Sequence, residues 1–290
     1  MPSTTTTVTV TRPGSTPVDV SVAAAGTGRP YLLLHGGAGP VSVLPFADLL
    51  AGQPARVLVP TAPGFNGTPR PDDVSDVRAL AELYVRLIEQ LDLTDVIVVG
   101  NSIGGWVAAE IALLACPRVA GVVIMNGTGI QVADHPVADF FSLSLDQLAE
   151  LSYHTPSRFR IDPAALTDAQ QALMSGNRQA IAVYAGEHGM TDPTLADRLV
   201  EVKVPTLVLW GQSDRVVDPD YGRAYAAAIP GSTYLPLFGT GHLPQLETPE
   251  PTLAAITDFA AEHPHSALTA PSTLVSDSLA SPNSNEVRGS

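Results

Sequence analysis

The 290-residue chain has 29 acidic and 15 basic side chains and a formal net charge of −14, a field that repels phosphate backbones and anionic lipid surfaces. Hydrophobic residues make up 45 % and charged residues 15 %, a balance that can bury one large α/β core or two small ones. Lys203 is the only lysine and Cys116 the only cysteine, so a polybasic membrane patch and an internal disulfide are both excluded. A small-molecule substrate is therefore expected, with no nucleic-acid or membrane partner.

In chain order, residues 1–14 are Thr-rich and lack the apolar stretch of a secretory signal. With no apolar run near the roughly 20 residues of a membrane span, the expectation is a cytoplasmic protein, monomeric or homodimeric. Continuous β-branched apolar runs at 18–23, 31–34, 56–59, 96–99, 119–125, 206–210 and 233–237 read as parallel strands buried on both faces. Val77, Leu80, Ala81, Tyr84, Leu87, Ile88 and Leu91 share one helical face between the third and fourth runs. A second helix is predicted from near Gly104 to just before Pro117, where Cys116 becomes a buried structural thiol. A third spans about 249–261, with Leu253, Ile256 and Phe259 inward. Strands alternating with helices predict a mainly parallel central sheet flanked by helices.

Two stretches depart from this alternation. Residues 130–200 contain no convincing strand and read as short helices broken by Pro136, Pro156, Pro163 and Pro193. An insertion of that size predicts a helical cap over one edge of the core. Residues 263–290 are rich in Ser, Pro, Thr, Ala and Asn and read as a disordered tail. The predicted division is 1–129 and 201–262 for the core, 130–200 for the cap and 263–290 for the tail.

The chemistry begins at Gly100-Asn101-Ser102-Ile103-Gly104. A buried run leads into this G-x-S-x-G and a helix leads out of it, the context in which the pattern holds a serine on a strained turn. The helix start then faces any developing negative charge. Upstream, His35-Gly36-Gly37-Ala38-Gly39 follows a strand and lets backbone N–H groups approach a bound group. Acyl transfer needs two such donors, each worth about 3–4 kcal/mol. The N–H groups of Ile103 and Gly37 are the expected pair. Asp214 follows the run at 206–210, and His242 sits in a glycine-flanked loop after 233–237. A serine hydroxyl is a poor nucleophile at neutral pH, and an imidazole oriented by a carboxylate activates it.

The order Ser, Asp, His, each on a loop after a strand and preceded by a His-Gly-Gly loop, resembles the α/β-hydrolase superfamily over about residues 18–261. The resemblance implies an α/β-hydrolase fold with a helical cap, with Ser102 as nucleophile, His242 as base and Asp214 as its acid. It also implies Gly37 and Ile103 as oxyanion donors. Asp218 competes for the acid's place, but it falls one turn later and precedes Pro219. Some relatives carry the acid after the preceding strand, where this chain has Asn126. His35 is expected to stabilise its loop, and no histidine pair has metal spacing with nearby acids, so no metal and no cofactor are expected.

Ser102 argues against haloalkane dehalogenases and epoxide hydrolases, whose elbow carries an aspartate. The elbow and glycine loop resemble carbon–carbon bond hydrolases of aromatic degradation, many of which have tryptophan where this chain has Leu243. Prolyl aminopeptidases carry a bulkier residue in place of Ile103, and serine perhydrolases an aromatic in place of Gly37. A serine esterase or lactonase working through an acyl-enzyme is the reading that remains. The alternatives are a hydrolase of 2-hydroxy-6-oxodienoate-like substrates and a ligand sensor with little turnover. Trp106, Phe65, Phe140, Phe141, Tyr153, Phe159 and Tyr184 are the expected substrate-pocket walls. Arg158, Arg160, Arg178 and Arg198 are the cap charges that could meet an acidic substrate.

Overall fold

The computed structural model describes residues 4–264, so the tail expected at 263–290 lies outside the described residues except for its first two positions. The elements are β1 (Thr4–Val10), β2 (Val18–Gly26), β3 (Arg29–Leu34), α1 (Leu44–Ala51), β4 (Ala55–Pro60), α2 (Val77–Gln90), β5 (Val96–Asn101) and α3 (Ile103–Leu113). They continue with β6 (Val119–Met125), α4 (Leu145–Ser152), α5 (Asp168–Ala185), α6 (Leu195–Arg198), β7 (Thr206–Gly211), α7 (Pro219–Ala228), β8 (Thr233–Leu237), α8 (Pro244–Glu247) and α9 (Pro249–Glu262).

The strands form one sheet in the order β1-β2-β4-β3-β5-β6-β7-β8. β1 and β2 run antiparallel to their neighbours, and all pairs from β4 to β8 are parallel. Every residue of β5 and β7 is buried, as helices on both faces require. Successive side chains of β5 alternate between two cores: Val96 and Val98 join α2, α3 and α7 on one face, Ile97 and Val99 join α1 and α9 on the other.

The seven predicted runs all lie within strands, and the structure adds an eighth, β1. Its Thr-rich sequence has no apolar run because most of it is exposed at the sheet edge. Polar, β-branched threonine suits a strand whose outer rim must not recruit another chain. α1 and α7 also carried no strong signal of their own.

Between β6 and β7 the chain is helical, with only an isolated bridge from Gly129 to Thr191. Two capping boxes start its helices: Ser144 with Gln147 for α4, and Thr167 with Gln170 for α5. Its far end is tied to α3 by Arg198, which reaches the buried Glu110 carboxylate at 2.6 and 2.9 Å and Asp192 at 2.7 Å. Among the described residues no helix is long and apolar enough to cross a membrane.

Candidate active site

The carboxyl ends of β3, β5, β6, β7 and β8 converge on one edge of the sheet. β4 and β5 flank β3 on opposite sides, which opens a crevice at the point where the strand order reverses. Ser102 lies in the turn between β5 and α3 with φ 59° and ψ −122°, a sparsely populated conformation for a non-glycine residue. The surroundings hold it there. Its N–H donates to Met125 O at 3.0 Å, and its carbonyl accepts from Gly105 and Thr128 at 2.9 and 3.2 Å. Gly104 is required because a Cβ there would stand 2.5 Å from the carbonyl oxygen of Leu34.

Asp214 and His242 come from the loops after β7 and β8 and are buried, at 1 % and 6 % exposure. His242 Nε2 lies 2.9 Å from Ser102 Oγ, and His242 Nδ1 lies 2.8 Å from Asp214 Oδ2. Asp214 Oδ1 accepts the N–H groups of Val216 at 2.8 Å and Val217 at 3.1 Å, while Oδ2 also accepts from Asn126 Nδ2 at 2.6 Å. Four donors on one carboxylate occupy its lone pairs and fix its plane. A hydroxyl, an imidazole and a carboxylate in series can take a proton from oxygen and return it to a leaving group.

Asp218 stands elsewhere. Its Oδ1 caps α7 by accepting from Asp220 N and Tyr221 N, and its Oδ2 meets His135 Nδ1 at 2.7 Å. His135, Asp218 and Asp220 are the one group of described residues with ligand atoms close enough to share a metal. Each is already engaged, since Asp220 also pairs with Arg223.

Gly37 has no N–H partner among the described residues. Ile103 opens α3, so its N–H has no acceptor within the helix. The glycine loop passes close to the serine, since a Cβ on Gly36 would lie 3.2 Å from Ser102 Cβ, and Ile103 follows Ser102 directly. His35 braces the loop: Nδ1–H donates to Gly36 O at 2.8 Å, and Nε2 accepts from Ala62 N at 3.1 Å. Burial pulls its pKa down to about 4 from the usual 6.5. Between these values the unfolded chain holds a proton that the folded chain rejects, so stability falls as pH drops through the window, by at most about 3 kcal/mol. Chemical denaturation of wild type and His35→Asn should show it. The variant's stability–pH slope between 6.5 and 4 is expected to be shallower by up to about 1.4 kcal/mol per pH unit, and identical slopes would remove His35 from the account.

Side chains that pattern reading did not single out complete the frame. Asn101, inside the elbow and fully buried, donates to His242 O at 2.9 Å and accepts from Gln245 Nε2 at 3.0 Å. Asn177 of α5 donates to Ala38 O at 3.0 Å and accepts from Asn66 N at 2.7 Å, so the helical insertion grips the glycine loop directly. Ile181 of the same helix lies over Gly37, with Cδ1 2.7 Å from where a Cβ would be.

The expected pocket walls separate into two groups. Trp106 is a core side chain at 5 % exposure, packed beside Gly129 and Leu195. Phe65 and Tyr184 are buried and stack 6.2 Å apart, with the Tyr184 hydroxyl donating to Pro63 O at 2.8 Å. These two border a cavity of about 10 Å³ beside Ile103 and His35. Phe140 and Phe141, 4.2 Å apart, and Tyr153 and Phe159, stacked at 4.3 Å, are only partly buried. Of the four arginines, Arg160 pairs with Glu150, Arg178 donates to the carbonyls of Phe140 and Phe141, and Arg198 is held by Glu110 and Asp192. Arg158 is exposed.

The sequence profile of the alpha/beta hydrolase family matches residues 31–255. This chain belongs to that family. The hydrolase is 28 % identical over 280 residues to a 2-hydroxy-6-oxo-6-phenylhexa-2,4-dienoate hydrolase of Burkholderia cepacia, covering 88 % of this chain and 95 % of that one. A protein of the same name from Comamonas testosteroni is 31 % identical over 266 residues, covering 81 % and 88 %. Among solved structures, a thermophilic esterase from Thermogutta terrifontis superposes with a TM-score of 0.70 at 27 % identity, covering 90 % of this chain and all of that one. The α/β-hydrolase fold expected from the motifs is thus the fold observed, and the protein is a hydrolase.

Proposed function

We propose that this hydrolase cleaves small to medium, mostly uncharged esters or lactones through an acyl-enzyme. The observation that carries the reading is the unbroken chain from Asp214 through His242 to Ser102, at 2.8 and 2.9 Å. Ser102 Oγ attacks the carbonyl carbon while its proton passes to His242 Nε2. The imidazolium is stabilised through Nδ1–H by Asp214, and the oxyanion accepts the N–H groups of Ile103 and Gly37. His242 then protonates the departing alkoxide, and a water activated by the same imidazole releases the acid. The segment 130–200 serves as the cap, with Ile181 and the partly buried aromatics as its contribution to the pocket.

The preference for uncharged substrates rests on the arginines, since Arg160, Arg178 and Arg198 are committed to partners other than a ligand. The net charge of −14 also slows the approach of anions at low salt. A second reading, hydrolysis of a carbon–carbon bond in a dienoate, is supported by the names of the relatives. Kinetics on a neutral ester and its free-carboxylate analogue separates the two. The neutral member is expected to have a kcat/KM about tenfold or more higher at low salt. A higher value for the anionic member, abolished by Arg158→Ala, would move dienoate hydrolysis to first place.

A further inference from the structure

Glu247, at the end of α8, lies outside the triad, yet its carboxylate gathers three backbone N–H groups. Oε2 accepts from Gly241 at 2.7 Å and His154 at 3.0 Å, and Oε1 accepts from Thr155 at 2.8 Å. Gly241 immediately precedes His242, while His154 and Thr155 form the turn that leaves α4. The same junction carries two further bonds. His242 N–H donates to Ser152 O at 2.6 Å, and Arg215 N–H, one residue after Asp214, donates to Leu151 O at 3.0 Å. These acceptors are carbonyls at the end of α4, which have no partner within the helix. The approach is close: a Cβ on Gly241 would stand 2.2 Å from Ser152 O. Burial followed by the charge of Glu247 pushes the Tyr153 phenol up to about 12, which places the carboxylate against this turn from the tyrosine side as well.

A carboxylate has enough lone pairs to satisfy three donors at once, and bonds to an ionised acceptor are roughly twice as strong as neutral ones. A carboxamide has one oxygen and would set its NH₂ against one of the N–H groups. We propose that Glu247 is a positioning residue for His242. Its carboxylate binds the histidine loop to the turn after α4, so that Nε2 stays in line with Ser102 Oγ. The proposal rests on the triad reading above, and it makes the α4 arm a fixed part of the site.

The test uses full-length Glu247→Ala and Glu247→Gln, assayed well below their melting temperatures for kcat, KM and the rate of fluorophosphonate labelling at Ser102. A misplacement near 1 Å can cost about 100-fold. Glu247→Ala is therefore expected to lose about 100-fold in kcat and in labelling rate, with KM within about threefold. Glu247→Gln, which keeps up to two of the three bonds, should lose about tenfold. A lower melting temperature with kcat and labelling within about twofold would reduce Glu247 to a packing role and overturn the proposal. A loss confined to KM would overturn it too, by placing Glu247 on the substrate's side. If Glu247→Ala does not fold, Glu247→Gln carries the test, and a kcat within twofold of wild type has the same consequence. Ser102→Ala run in parallel separates the two readings. An active Ser102→Ala removes both, whereas a dead Ser102→Ala beside a fully active Glu247→Ala removes this one alone.

Discussion

Ser102→Ala is expected to lower kcat on the order of 10⁵- to 10⁶-fold, the range for triads whose members act as a unit. The fold should survive the change. Alanine at φ 59° is no more strained than serine there, and the backbone bonds from Met125, Gly105 and Thr128 remain. The deletion removes one partly buried hydroxyl and its 2.9 Å contact with His242. On the proposed mechanism the amides of Gly37 and Ile103 remain as oxyanion donors, and a residual rate above that of the reaction in water is expected. Circular dichroism should match wild type. Mass spectrometry after fluorophosphonate treatment should find one adduct, at Ser102, in wild type only. Labelling at another residue, or a variant with most of its activity, would defeat the nucleophile assignment.

Asp214→Asn is expected to lower kcat by about 10⁴-fold. With its oxygen kept toward the N–H groups of Val216 and Val217, the new amide nitrogen faces both Asn126 Nδ2 and His242 Nδ1. The first contact sets donor against donor. The second moves the imidazole proton to Nε2, where it blocks removal of the serine proton. Asp218→Asn is the contrast. Asparagine caps a helix about as well as aspartate, and the change touches only α7 and His135, so kcat should stay within about threefold. Effects in the opposite order would make Asp218 the acid.

The reach of the sequence can be followed residue by residue. The elbow was legible because its determinants are local: a buried strand, a turn too tight for a Cβ at Gly104, and a helix start. The strand runs were legible because parallel strands covered on both faces need unbroken apolar sequence, as in β5 and β7. Asp214 and His242 followed from the same rule applied to the ends of two later strands. β1 was missed because one polar edge strand satisfies its hydrogen bonds without an apolar run.

Glu247, Gln245, Asn177 and the role of Asn101 were decided only by the tertiary structure. Their partners lie from 6 to 203 positions away along the chain, and a hydrogen bond between distant loops leaves no periodicity to read. The same holds for the aromatics. Tyr184 and Tyr153 are equivalent in the sequence, yet one donates to Pro63 O in the core and the other stacks partly exposed on Phe159. The arginines follow suit, since a cap cation becomes unavailable to a substrate only when a carboxylate or carbonyl from another element reaches it. The sequence by itself determined the sheet and the chemical groups at its edge, because backbone sterics and burial act over a few residues. The assembly of those groups at hydrogen-bonding distance, and the contacts that hold them there, came from the packing of β5, β7, β8 and the α4 arm against one another.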